Sequence, residues 1–217
     1  MKRIVVLLLV VFLSQVVSAQ KEFTQFRSPK NVFYWKNKKP HEAYWQQDIF
    51  YNIKASVDDS TDIVTGNEEL TYWNNSPDEL NYVYFHLYAN ANTKDSYLAD
   101  LYKNNNYHLK FGKYRGKNLG TEVTKMEVDG KQLKTELDNT ILKVFLDKPL
   151  KSGDSITFNV DFKTYFDKEA IRNRMKLFNA GPYKHYDMVH WYPRISVYDK
   201  KFGWDTEQHM DHEFYGD

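Results

Sequence analysis

The stretch "SITFNVDFKTYF", Ser155 to Phe166, decides how the rest of the chain reads. Ile156, Phe158, Val160 and Phe162 alternate without a break against Thr157, Asn159, Asp161 and Lys163. A period of two predicts a strand with one face in an apolar core and the other in water. Working backwards, "QDIFYNIKASV" repeats the pattern, with Ile49, Tyr51, Ile53 and Ala55 on one side and Asn52 and Lys54 on the other. "NYVYFHLY" sets Val83, Phe85 and Leu87 against Tyr82, Tyr84, His86 and Tyr88, which makes His86 a packed or rim histidine. Between these, Leu70 and Tyr72 share a face opposite Thr71 and Trp73.

Turn chemistry separates these runs. "NNSPDEL" (Asn74–Leu80) combines local Asn and Asp bonding with the preset φ of Pro77. Asp129-Gly130 is a two-residue hairpin signal, and Pro149 with Gly153 links the last two strands. The chain also holds 17 Tyr, 14 Phe and 5 Trp beside 9 Gly, a composition suited to pleated, half-buried surfaces. These features predict an all-β chain of about seven or more strands, an antiparallel β-sandwich or pair of curved, saddle-like sheets. Residues 89–120 lose the period, apart from a short helix expected over Ser96 to Leu101. Past Phe166 the chain is irregular and holds four of the seven histidines, which reads first as an aromatic-clad interface and second as a site.

Residues 1–19 read as a signal peptide. Lys2 and Arg3 precede the apolar run Ile4–Leu13, and Val17 and Ala19 fit the −3 and −1 positions of cleavage after Ala19. Residues 20–44 read as an extended lead-in around Pro29 and Pro40, and residues 45–217 as the β-domain. The absence of cysteine excludes a lipoprotein anchor, disulfides and thiolate metal sites, so the expected location is periplasmic or extracellular with no membrane anchor. Near-balance of charge, +1 overall, argues against a nucleic-acid partner.

No catalytic set is legible. His212-Glu213 resembles the opening of a zinc-protease helix, but the second histidine would have to stand at Gly216. His209 and His212 alone lack a third ligand. No serine lies in a Gly-x-Ser-x-Gly elbow. The adjacent carboxylates Glu68-Glu69 and Asp58-Asp59 read as solvated. The residues alone also allow a free-standing glycan-binding β-module, which needs tryptophans such as Trp73 or Trp204 exposed and coplanar.

The run "YWQQDIFYNIKASVDDSTDIVTGNEELTYWNNSPDELNYVYFHLYANA" resembles the N-terminal β-domain of aminopeptidase N-like zinc metallopeptidases, of the bacterial secreted type. The resemblance is carried by Tyr51 and Ile53, Gly66 and Glu69, the Asn74–Leu80 turn and Val83–Leu87. "WYPRISVYDKKFGW" and "HEFYGD" are similar to the later part of that domain, so the resemblance covers roughly residues 45–217. It implies a substrate-side β-domain, incomplete at its C-terminus and inactive alone. No cofactor is expected in this chain. Zinc and the residue that activates its water would lie in a missing C-terminal catalytic domain, the expected partner along with a peptide substrate. "HEFYGD" would then be an ordinary strand segment. Many members carry, in this domain, a glutamine that binds the substrate amine; here "MVHWYPR" places His190-Trp191-Tyr192 in that region. Trp191, Tyr192 and Arg194 are the expected cleft residues.

Overall fold

The computed structural model describes residues 28–32, 34, 37, 43–168 and 175–210. The expected signal peptide and the "HEFYGD" segment lie outside the described residues. Two compact units are present, Met1–Tyr44 and Trp45–Asp217. In the first, the described residues form turns, and the Asn37 side-chain amide donates to the carbonyls of Ser28 and Asn31 at 2.7 and 2.9 Å.

The second unit is built from antiparallel strands. In chain order these are β1 (Asp48–Asp58), β2 (Ile63–Trp73), β3 (Leu80–His86), β4 (Thr121–Val128), β5 (Lys131–Gln132), β6 (Thr135–Asp138) and β7 (Ile141–Leu150). They continue as β8 (Ser155–Tyr165), β9 (Met175–Ala180), β10 (Tyr183–Met188), β11 (Arg194–Ile195), β12 (Tyr198–Asp199) and β13 (Gly203–Trp204). One sheet has the order β1-β2-β8-β4-β5, the other β11-β3-β7-β6, and β9-β10 and β12-β13 are separate hairpins. The fold is all-β, as the alternation predicts.

The two sheets face each other across one core. Leu70, Tyr72, Met126, Phe158 and Val160 of the five-stranded sheet pack with Val83, Phe85, Leu142, Val144 and Ile195 of the four-stranded one. The rings of Phe85 and Phe158 meet edge-on across the gap, 5.6 Å apart. Burial of this apolar area is the main driving force for closing the sandwich. β8 is central, and its inward residues Phe158, Val160 and Phe162 have no exposed surface. Asp129 and Gly130 both adopt positive φ, 53° and 75°, as the tight turn between β4 and β5 requires.

The Asn74–Leu80 turn is more than punctuation. Asn74 is fully buried; its amide donates to the carbonyls of Asp78 and Leu150, and its oxygen accepts from Gln47 and Ser76. The network ties the lead into β1 to the end of β7 with every bond of that side chain satisfied. Within residues 89–120 an α-helix, α1, spans Tyr97–Asn104, and the Ser96 hydroxyl caps it by accepting from the Ala99 amide. The region after Phe166, expected to be irregular, contains the β9–β10 hairpin. Gly181 turns it at φ 64°, and its Leu177 and Tyr186 pack with Val64 of β2 and Phe166 in a small second core. Within the hairpin Met175 and Leu177 are the buried side chains, while Phe178 and Tyr183 stay exposed.

Candidate functional site

The expected cleft residues fall on one short segment, His190 to Ile195, that bridges the two sheets. Ile195 pairs with Phe85 of β3, and the Ser196 amide donates to the Tyr84 carbonyl at 2.8 Å. From the other sheet, the Thr164 hydroxyl donates to the Trp191 carbonyl at 2.7 Å, and the Tyr51 hydroxyl accepts from the Ile195 amide at 3.0 Å. Trp191, Tyr192 and Arg194 are all half-buried. Tyr192 stands edge-on to both Tyr51 (5.6 Å) and Trp191 (5.3 Å), and Trp191 leans on Phe162 at 5.9 Å. The segment is thus an aromatic and cationic ledge fixed by side chains of two strands of the large sheet. His190 opens it in left-handed backbone, φ 53°, a conformation uncommon for a residue with a Cβ.

Beside the ledge stands Tyr88, at the centre of three imidazoles. His86 stacks nearly parallel on it at 4.9 Å, with His190 at 4.8 Å and His209 edge-on at 5.4 Å. Asp205 Oδ2 lies 3.5 Å from His86 Nε2. Burial pushes the Tyr88 hydroxyl up to about 12, partly opposed by the Arg194 charge. His86 is therefore a packed histidine, as its place on β3 suggests, although it is buried rather than at the rim. The three rings converge on a phenol. Among the described residues no group of three or more His, Asp or Glu side chains is placed to hold a metal.

Sequence reasoning missed Glu68. The adjacent carboxylates read as solvated, yet Glu68 has no exposed surface and neither of its oxygens has a hydrogen-bond partner. It points inward from β2 between its cross-strand neighbours Ile53 and Val160, and it raises the Tyr51 hydroxyl pKa together with burial. Burial alone raises its own pKa from 4.5 to about 9. At neutral pH this is an uncharged acid under the ledge. Parity was the available signal: Glu68 lies two residues before Leu70 and four before Tyr72, on the face already assigned to the core.

Two grooves lie away from the ledge. A groove of about 740 Å³ is lined by aliphatic and charged residues including Leu133, Leu146, Lys131 and Asp147. A second, of about 410 Å³, lies against β3 and the β12–β13 hairpin and is lined by Tyr82, Tyr84, Tyr198 and Trp204. Trp204 thus packs in an aromatic group, and Trp73 does not line that groove. No helix among the described residues is long and apolar enough to cross a membrane.

No protein-family model matches the sequence, and no curated protein does. Solved structures similar to it include an M1 zinc metallopeptidase from Deinococcus radiodurans, 13% identical over 63% of this chain and 25% of that one, with a TM-score of 0.39. A mutant of that enzyme bound to a Tyr-Ser-Ala substrate gives the same figures. A two-domain M1 zinc metallopeptidase mutant bound to L-tryptophan is 12% identical over 62% of this chain and 24% of that one, with a TM-score of 0.37. The chain spans about a quarter of the length of these structures. A likeness this remote bears no functional weight.

Proposed function

We propose that this chain is the substrate-side β-domain of an exported zinc metallopeptidase of the aminopeptidase N type, in the periplasm or outside the cell. In this reading the whole protein hydrolyses peptides. The zinc and its base belong to a catalytic domain beyond these residues, and Trp191, Tyr192 and Arg194 form a wall of the peptide cleft. Two things support it: the ordered sequence resemblance over residues 45–217, and the geometry of the 190–194 ledge. The ledge is the observation that carries the reading. Two half-buried rings and a guanidinium stand on a segment anchored to both sheets, in the stretch that resembles the family's amine-binding region. Such anchoring suits a rigid binding wall. His190-Trp191-Tyr192 stand in the region resembling the one where many members carry that glutamine, so selection for a free amine is not implied.

The test uses the whole gene product with zinc supplied and aminoacyl anilides and short peptides as substrates. Tyr192→Ala is expected to raise KM about tenfold while kcat stays within about twofold, the pattern of lost uniform binding. Absence of peptide hydrolysis by the whole protein, or stoichiometric zinc bound through histidines of residues 20–217, would overturn the proposal.

A further inference from the structure

The groove beside the β12–β13 hairpin has a chemistry that the ledge lacks. Its volume, about 410 Å³, falls in the range of small-ligand sites. One wall is aromatic: Tyr198 and Trp204 lie 4.8 Å apart and tilted by 35°, with Tyr84 edge-on to Trp204 at 5.9 Å. Tyr82, more than a third exposed, continues that wall and stands edge-on to Tyr84 at 5.5 Å. The Lys143 ammonium lies 4.1 Å over the Tyr82 ring while lining no part of the groove, which helps to hold the ring in place. The Tyr198 hydroxyl donates to Asp78 at 2.8 Å, fixing a second ring. Along the wall run Glu79, Asn81 and Thr206, and Gly203 at φ 74° adds backbone without a side chain.

Rings held by one another, beside a carboxylate, an amide and a hydroxyl, match a ligand with apolar C–H faces and a rim of hydroxyl groups. A proline-rich segment would use the rings but leave the carboxylate unanswered. An anionic ligand would find no cation lining the groove, and a cationic one would be repelled by the Lys143 ammonium, 4.1 Å over the Tyr82 ring. We propose that this groove binds neutral pyranose units of a glycan, the sugar's C–H face lying on Tyr82 and its hydroxyls meeting Glu79 and Asn81. The site is separate from the ledge and does not depend on the peptidase reading. In an exported protein it would tether the molecule to a polysaccharide.

The test titrates the chain with cellobiose, maltose and N,N′-diacetylchitobiose while following the Trp204 indole N–H and the tyrosine ring signals by NMR. Saturable shifts at Trp204 and Tyr82 are expected for at least one disaccharide, with a Kd on the order of 1 mM. Tyr82→Ala should weaken binding roughly tenfold and Glu79→Gln severalfold, with the remaining spectrum unchanged. Both positions avoid Trp204, whose loss would disturb the core edge. No groove shifts with any of the three sugars at about 20 mM, shifts insensitive to Tyr82→Ala, or saturation only by a proline-rich peptide would overturn the proposal.

Discussion

Replacing Glu68 by glutamine removes a titration that sets the pH dependence of stability. In the folded protein the carboxyl stays protonated up to about pH 9, whereas in the unfolded chain it ionises at its ordinary value of 4.5. Between those values the unfolded state binds fewer protons than the folded one, so folding stability falls as pH rises. The slope is about 1.4 kcal/mol per pH unit. The penalty is absent below about pH 4.5, reaches roughly 3 kcal/mol at pH 7, and levels off near 6 kcal/mol above pH 9. Set against a typical total stability of about 5–15 kcal/mol, the mid-range value is a large fraction. The glutamine variant keeps size and polarity but cannot ionise, so it isolates the charge from the packing. Urea unfolding of both proteins at a series of pH values reads the difference directly. Between about pH 5 and pH 8 the variant should gain roughly 4 kcal/mol relative to the parent. Parallel stability profiles would refute the reasoning: they would mean that the folded carboxyl is already ionised and has a partner.

Two further substitutions probe the scaffold. Tyr51→Phe strips the Ile195 amide of its acceptor; it should cost about 1–3 kcal/mol and speed hydrogen exchange at Ile195 while leaving Leu70 unchanged. Asn74→Ala leaves the carbonyls of Asp78 and Leu150 and the Ser76 hydroxyl short of partners; calorimetry should show a loss of roughly 2 kcal/mol or more, with no change in the signals of the ledge.

The large strands were legible because their apolar residues repeat every second position over ten or so residues. β8 and β3 bury the residues that alternation selects, and the helix starts at the serine that caps it. Short elements were not legible. β5, β11, β12 and β13 are two residues long, too short to show any period, and they form because longer strands offer them partners. The site divides the same way. Trp191, Tyr192 and Arg194 could be named from the sequence, but what holds them could not. Thr164 and Tyr51 lie 27 and 144 residues from the atoms they bond. Tyr88 and its histidines likewise come from segments joined only in the fold. Glu68 was misread because adjacency to Glu69 was weighed above strand parity.

The anchoring of the ledge determines what kind of motion it permits. β11 adds Ile195 to the four-stranded sheet, while Thr164 and Tyr51 reach it from the five-stranded one. A segment bonded to both halves of a sandwich cannot swing as a lid without breaking bonds on one side, because the sheets share a core centred on Phe85 and Phe158. Ligand binding there would have to use the ledge in the shape it already has, with side chains adjusting rather than backbone. The uncharged Glu68 belongs to the same logic: a buried floor without a charge under Tyr51 keeps water away from the bond to Ile195, and each water that entered would compete for that amide. The floor and the ledge are therefore coupled through one hydroxyl, so in the glutamine variant of Glu68 the protection of the Ile195 amide, corrected for base-catalysed intrinsic exchange, should be the same at pH 8 as at pH 6, whereas in the parent protein that protection declines as the carboxyl approaches ionisation.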